Sequence, residues 1–288
     1  MGYPNKLKRF AIFAISFWVS GVAFATTYLP PAVSLERKSL RIINMHGTVG
    51  LPKGQWEMFI QHRFGTFGDG AYNWYGFDQS YMRIGLDYGL SKRITTGLSR
   101  SSMNKIADAY VKWEMPLKSN SWTASLYSNV SLNTNHRAAI SGEPFYYSNR
   151  LRFINTLNIS KNFGDRFLLG ITPSLVHVNL ANTISSSNDI PVMGGYSRLK
   201  LSNRYAITAE VQRPMGDRFY NVIGGFKNTN RPASPYVGLG FEIFTAKHMF
   251  QLSVSNAQSM NETYYMVGEN GGTGLKNFRF GFNIVRRW

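Results

Sequence analysis

The fold class this sequence predicts is all-β: a transmembrane, antiparallel up-and-down β-barrel of about twelve strands, with ten or fourteen as the neighbouring counts. Three observations predict it. Apolar and polar residues alternate with a period of two through segment after segment. The connections between segments sort into short and long sets that take turns along the chain. The 288 residues include no Cys, and no stretch beyond the N-terminal leader approaches the roughly 18–20 consecutive apolar residues of a helical span. A chain that enters a membrane without such a helix has one other backbone solution, a closed barrel in which every strand is paired.

Residues 1–25 read as a secretory signal peptide. Lys6, Lys8 and Arg9 form a basic start, an apolar run follows from Phe10 through Val22, and Ala23-Phe24-Ala25 supplies a small-x-small cleavage pattern. At about 13 residues the apolar run is short for a spanning anchor. Without Lys6, Lys8 and Arg9 the formal net charge falls from +17 to about +14. Residues 26–53 differ from the rest: Pro30-Pro31, then Glu36-Arg37-Lys38, then a short apolar piece Leu40–Met45, ending in Leu51-Pro52-Lys53-Gly54. They read either as a periplasmic tail with one short strand near the barrel rim or as a small plug entering the lumen.

The barrel is assigned to residues 54–288. In its first segment Trp56, Met58 and Ile60 oppose Glu57, Gln61 and Arg63; in its second Met82, Ile84, Leu86 and Tyr88 oppose Arg83, Gly85 and Asp87. Ala107, Ala109, Val111, Trp113 and Met115 then alternate with Asp108, Tyr110, Lys112 and Glu114. The rule holds around Trp122–Leu132, Leu151–Ile159, Phe167–Leu175, Tyr205–Val211, Val237–Ile243 and Phe250–Val254. It is weaker around Ile94–Arg100 and Tyr196–Leu201. Such spacing puts one parity on lipid and the other on the interior. A secreted β-sandwich also alternates. Here, however, the apolar parity carries Trp56, Tyr88, Trp113, Trp122, Phe153, Phe167, Tyr205 and Trp288 near strand ends, as an interfacial aromatic girdle requires.

Short connections fall at Leu90–Arg93, Pro116–Ser121, Lys161–Asp165, Leu201–Arg204 and Thr245–Lys247. Long ones fall at Gly65–Asp78, Asn133–Ser148, Asn179–Met193, Pro214–Ser234 and Ala257–Gly274; Ser101–Asn104 is short but belongs to the long series. Short turns on the periplasmic side and long external loops are the pattern of a Gram-negative outer-membrane barrel. In the last strand Phe278, Phe280, Phe282 and Ile284 share one parity and the chain ends on Trp288, as an insertion signal read by the barrel-assembly machinery would; Arg286 departs from the usual apolar residue. This strand is expected to close the wall against the first, near Trp56.

His62-Arg63-Phe64-Gly65, Gly76-Phe77-Asp78-Gln79, Arg83-Ile84-Gly85-Leu86 and Gly89-Leu90-Ser91-Lys92-Arg93 together resemble an uncharacterised outer-membrane β-barrel family of Bacteroidota, a domain of unknown function. The likeness is specific over roughly residues 40–115. It implies the cell outer membrane, a single barrel domain and no established activity, and brings no catalytic residues.

On the polar parity, Glu57, Arg63, Arg83, Asp87, Asp108, Lys112, Glu114, Arg152, Glu210, Glu242 and Arg279 are expected to face the lumen. Interleaved signs there suit a lattice of ion pairs between adjacent strands around a narrow or gated channel, or charged pore walls that select a solute. Other basic residues, among them Lys92-Arg93, Arg137, Arg150, Arg198, Lys200, Arg231 and Arg286-Arg287, are assigned to turns and loops, where they suit outer-membrane lipid phosphates or lipopolysaccharide. No basic element interleaved with stacking residues points to nucleic acid. His46, His62, His136, His177 and His248 are scattered, and no nucleophile motif occurs; Ser174 with His177 is the nearest candidate and falls on opposite parities. No catalytic residue, cofactor or metal is expected. The expected role is passive or gated passage, or capture, of a small solute, with anions favoured, by a monomer. The alternatives are a non-conducting barrel that scaffolds an unidentified outer-membrane partner, and a lipid-acting enzyme.

Overall fold

The computed structural model describes residues 39–119, 121–135, 146–179, 188–215, 234–267, 270 and 272–288. Thirteen strand segments form one antiparallel sheet: β1 (Trp56–Phe64), β2 (Ser80–Gly89), β3 (Ile94–Ser101), β4 (Ile106–Glu114), β5 (Trp122–Asn133), β6 (Leu151–Phe163), β7 (Phe167–Ile171), β8 (Ser174–Val178), β9 (Asp189–Lys200), β10 (Tyr205–Pro214), β11 (Tyr236–Phe244), β12 (His248–Ser255) and β13 (Arg279–Arg287). β7 and β8 are two halves of one barrel strand. Both pair with β6 in a single register, Ile159 opposite Ile171 and Thr156 opposite Ser174, and both continue onto β9. The interruption is Thr172-Pro173. Proline has no N–H to donate, yet its carbonyl still accepts from Leu157 N at 3.0 Å, so the wall is unbroken. Twelve strands therefore circle the barrel.

Closure is made by β13 on β1, with Glu57 opposite Arg287 and Arg63 opposite Gly281. At the seam's end Trp56 N donates to Trp288 O at 3.0 Å and Trp288 N returns a bond to Trp56 O at 3.1 Å. The expected pairing of the last strand with the first near Trp56 is the one observed. All five short turns lie at this same end of the barrel, which follows from an antiparallel wall with an even strand number.

In β1 burial alternates residue by residue, so that the period-two sequence becomes a two-faced wall. Glu57, Phe59, Gln61 and Arg63 are buried, whereas Trp56, Met58, Ile60, His62 and Phe64 are more accessible and point outward. The outer face keeps Met82, Ile84, Leu86, Leu98, Leu169, Ile171, Leu175, Leu239 and Leu252 exposed. A continuous apolar belt of that kind is unsuited to water and suited to acyl chains. Inside, space is tight enough to demand glycine at Gly97, where a Cβ would collide with Asp87 Oδ1 and the Tyr110 ring.

Two differences from the sequence reading stand out. The weak segment Tyr196–Leu201 is the end of a long strand, β9, that begins at Asp189 inside the expected loop. Arg198 consequently faces inward and is buried, not in a turn, and Arg287 at the seam reaches back to Glu57 with its Nε 3.0 Å from Oε2. Arg137 and Arg231 lie outside the described residues. The interior also contains an apolar cluster, including Ile154, Leu168, Val176, Val192, Tyr196 and Tyr236, which the small polar residues of the inward parity did not announce.

Candidate functional site: an occupied lumen

The inner wall is buried because two segments of the chain itself pack against it. The first is residues 39–51. Gly47 N donates to Leu40 O and Ile42 N to Met45 O, each at 2.8 Å, and Arg41 and His46 form an isolated bridge. The apolar piece Leu40–Met45 is thus not a rim strand but one leg and the tip of a small hairpin. Its tip carries Ile43 and Asn44. From Gly47 the chain runs back toward the short-turn end, where Gly54 N donates to Gly89 O at 2.8 Å.

Wall side chains receive this segment through its main chain. Glu210 on β10 accepts N–H groups from three successive residues, Ile43 at 2.6 Å, Asn44 at 3.1 Å and Met45 at 3.0 Å. Gln61 and Asn283 donate to Ile43 O at 3.0 and 2.9 Å, and Gln251 donates to Ile42 O. Arg63 donates to Asn44 Oδ1 at 2.7 Å, and Gln212 reaches the Met45 sulfur. Lower down, Lys112 Nζ donates to Val49 O at 2.6 Å and Gly47 O at 3.2 Å, while Glu114 accepts Gly50 N at 2.6 Å. Buried main-chain groups must be paired somewhere; here the barrel wall supplies the partners that a sheet would otherwise supply.

Arg41 is the hairpin's strongest side-chain tie. Its Nη1 lies 2.6 Å from Asp87 Oδ2 and its Nη2 3.2 Å from Oδ1, a bidentate pair, and its guanidinium stacks 3.6 Å from the Phe59 ring centre. Tyr110 Oη donates to the same carboxylate at 2.7 Å. Arg198 links Arg41 O, at 3.1 Å, to Glu242, at 2.9 Å.

The second occupant is the long loop between β12 and β13. Residues 256–267 between β12 and β13 are buried, apart from the half-buried Gln258, and include a one-turn helix, α1 (Glu262–Tyr265), capped by the Asn261 side chain accepting from Thr263 N. Arg83 on β2 organises the contact. Its Nη1 donates to Met260 O at 2.6 Å and lies 3.4 Å from Glu262 Oε2, its Nη2 pairs with Asp108 at 2.9 Å, and its Nε donates to Ser99 at 2.8 Å. Arg152 donates to Thr263 O at 3.1 Å and stacks 3.7 Å from the Tyr264 ring centre.

The two occupants meet at His46. Its ring stacks against Tyr127 at 4.6 Å and tilts against Tyr110 at 4.5 Å, with Nε2 4.0 Å from Glu262 Oε1. Burial, then the charges of Arg41, Lys112 and Arg83, hold this imidazole well below its ordinary pKa, so it sits neutral. Tyr236 on the wall and Tyr265 on the loop meet at a tilt with ring centres 4.6 Å apart, and Ile42 and Met45 of the hairpin join Tyr265, Met266 and Val267 of the loop in one cluster.

All eleven charged residues expected inside lie on the inward parity, and ten are buried; Glu114 is partly accessible. Their partners differ from the expected adjacent-strand lattice. Arg83–Asp108, at 2.9 Å, is a close ion pair between two of the eleven. Asp87, Glu210, Lys112, Glu114, Arg63 and Arg152 instead hold the hairpin or the loop. Glu57 pairs with Arg287 and Glu242 with Arg198. Arg279 lies near the loop end of the seam, where its Nε and Nη1 have no hydrogen-bond partner among the described residues. Ser174 Oγ bonds Thr156 Oγ1 inside at 2.8 Å, while His177 bonds Asp189 at 2.7 Å from the outward parity, so the two form no unit. Phe280, Phe282, Ile284 and Trp288 face outward along β13, with Phe278 immediately before it. Sequence reasoning missed Arg41, His46, Arg198 and Glu262. The lone acid amid apolar residues in Glu262–Val267 was the available signal for the last of them.

A sealed seam, a lipid-facing belt and an interior filled from both ends define a membrane-bound barrel with an occupied lumen. The chain belongs to the membrane-bound beta barrel domain family DUF5777, which matches residues 38–288. Among solved structures it is similar to the NanC porin, with a TM-score of 0.53 at 10% identity over 80% of this chain and 97% of that one. It is also similar to the COG4313 outer membrane channel from Pseudomonas putida F1, with a TM-score of 0.51 at 13% identity over 84% and 98%. At such identities the likeness is one of fold. No curated protein matches the sequence.

Proposed function

We propose that the protein is an outer-membrane conduit, gated by its own hairpin and external loop, for passage or capture of a small solute with anions favoured. The observation that carries this reading is the manner in which the lumen is filled. The hairpin is held by side chains of the wall on its main-chain groups, a set of separate non-covalent bonds that can exchange for water or solute, while the wall closes by its own ladder without it. Removing it therefore leaves a continuous barrel. The porin-like fold is compatible with such a conduit. The wall that would then face water carries Arg63, Arg83, Lys112, Arg152, Arg198 and Arg279 against Glu57, Asp87, Asp108, Glu114, Glu210 and Glu242, and the excess of base over the whole chain tilts selection toward anions.

Liposome swelling tests the reading. Proteoliposomes with the intact chain should swell slowly, and those with residues 39–51 deleted should swell at a rate set by solute size, faster for anions; Arg63→Glu in the deleted chain should reduce that preference. A second reading, a non-conducting scaffold, is favoured by the burial of these wall charges other than Glu114. It would be supported if the deleted barrel folds, runs as a compact band on unheated gels and still admits no solute.

A further inference from the structure

The lumen is not polar all round. On the inner face of β6, β8 and β9, Ile154, Val176, Val178 and Val192 form an apolar stripe, with Ile154 opposite Val176 across the ladder. Arg152 stands at its margin, directly opposite Val178. The external loop covers this surface with matching chemistry. Ala257, Tyr265, Met266 and Val267 pack into the apolar cluster, while the Glu262 carboxylate approaches Arg83 and the carbonyls of Met260 and Thr263 take guanidinium N–H groups of Arg83 and Arg152. One short turn thus brings an apolar body to the stripe, a carboxylate to Arg83 and a main-chain carbonyl to Arg152.

This arrangement bears on what can displace the loop. A ligand shifts an equilibrium between two states only by its differential affinity for them. When the loop lifts, the stripe loses its apolar cover and the two arginines lose acceptors. A hydrophilic anion restores only the second loss, and an uncharged apolar molecule only the first. A molecule carrying both features restores both.

We infer that the loop 256–267 is an internal stand-in for an amphipathic organic carboxylate, whose apolar body lies on Ile154, Val176, Val178 and Val192 and whose carboxylate pairs with Arg83 and Arg152. The inference rests on the gated reading above and specifies its solute. The stripe separates this site from an ordinary charged constriction, which has no use for four aliphatic side chains on one wall.

The absence of Cys allows a direct test in the full chain. Ser259→Cys places one thiol on the loop at a buried position, close in size to the native hydroxyl. In lipid nanodiscs the rate of its modification by a membrane-impermeant maleimide reports lifting of the loop. 4-Phenylbutyrate should raise that rate at least tenfold, while gluconate and 4-phenylbutanol, each with one of the two features, should change it less than twofold. Arg152→Gln, or Val178→Thr if the first variant does not fold, should cut the response at least fivefold. Equal acceleration by gluconate, equal acceleration by 4-phenylbutanol, or no acceleration by 4-phenylbutyrate would each overturn the proposal. Swelling of hairpin-deleted liposomes is read separately, so a conducting barrel without this response rejects the solute class alone, and a non-conducting one rejects the conduit.

Discussion

Glu210→Gln tests the grip of the wall on the hairpin's tip. In the native barrel one carboxylate accepts three consecutive main-chain N–H groups, at 2.6, 3.1 and 3.0 Å. Hydrogen bonds to a charged acceptor contribute about 1.5–3 kcal/mol each, against about 1 kcal/mol for neutral partners. The amide removes the charge and turns one acceptor oxygen into an NH₂ that faces N–H donors. Losing the charge assistance over three bonds, partly offset by relaxation, costs the seated hairpin about 3 kcal/mol, or roughly two decades in the ratio of seated to withdrawn forms. The assay uses Ile43→Cys as the lone thiol in both backgrounds, since Ile43 is fully buried when the hairpin is seated. Thiol modification in nanodiscs should be about a hundredfold faster with Glu210→Gln. An unchanged rate would refute the view that Glu210 holds the tip.

Three further outcomes follow from the same geometry. Gly97→Ala should destabilise the folded barrel by about 1–3 kcal/mol, read as a lower melting point of the compact gel band, because its methyl would press on Asp87 and Tyr110. Deleting Trp288 removes both main-chain bonds that end the β1–β13 seam and an exposed terminal indole, and should sharply lower the fraction of chain inserted into outer membranes, measured by protease protection. For His46 the seated form holds the imidazole pKa below 6.5, so a withdrawn hairpin takes up a proton first; seating is stabilised above about pH 6.5 and weakens as pH falls below it. Modification of Ile43→Cys should therefore accelerate below that pH, and His46→Gln should remove the part of the acceleration due to imidazole.

The wall was legible because a two-residue period is a local property. Each strand announces its inward parity in its own residues, and the eleven charges share that parity for that reason. What those charges touch was not legible. Glu210 meets Ile43 across 167 positions and Arg83 meets Met260 across 177, with no local pattern linking them. Leu40–Met45 has the composition of a strand, and only the lumen around it shows that its neighbours are side chains and not a ladder. Arg198 was misplaced because Gly194-Gly195 and Pro191 blur the alternation of β9, whose register is fixed by β7 and β10 on either side. The loop 256–267 had the right length for an external connection, and its inward fold depends on Arg83 and Arg152 waiting on other strands.

Amide hydrogen exchange of residues 40–47 in nanodiscs measures most directly whether the lumen is occupied as described. Ile43, Asn44 and Met45 should exchange as slowly as amides of the surrounding wall, and at least tenfold faster in Glu210→Gln. Exchange at the rate of an unstructured peptide in the native chain would contradict the account.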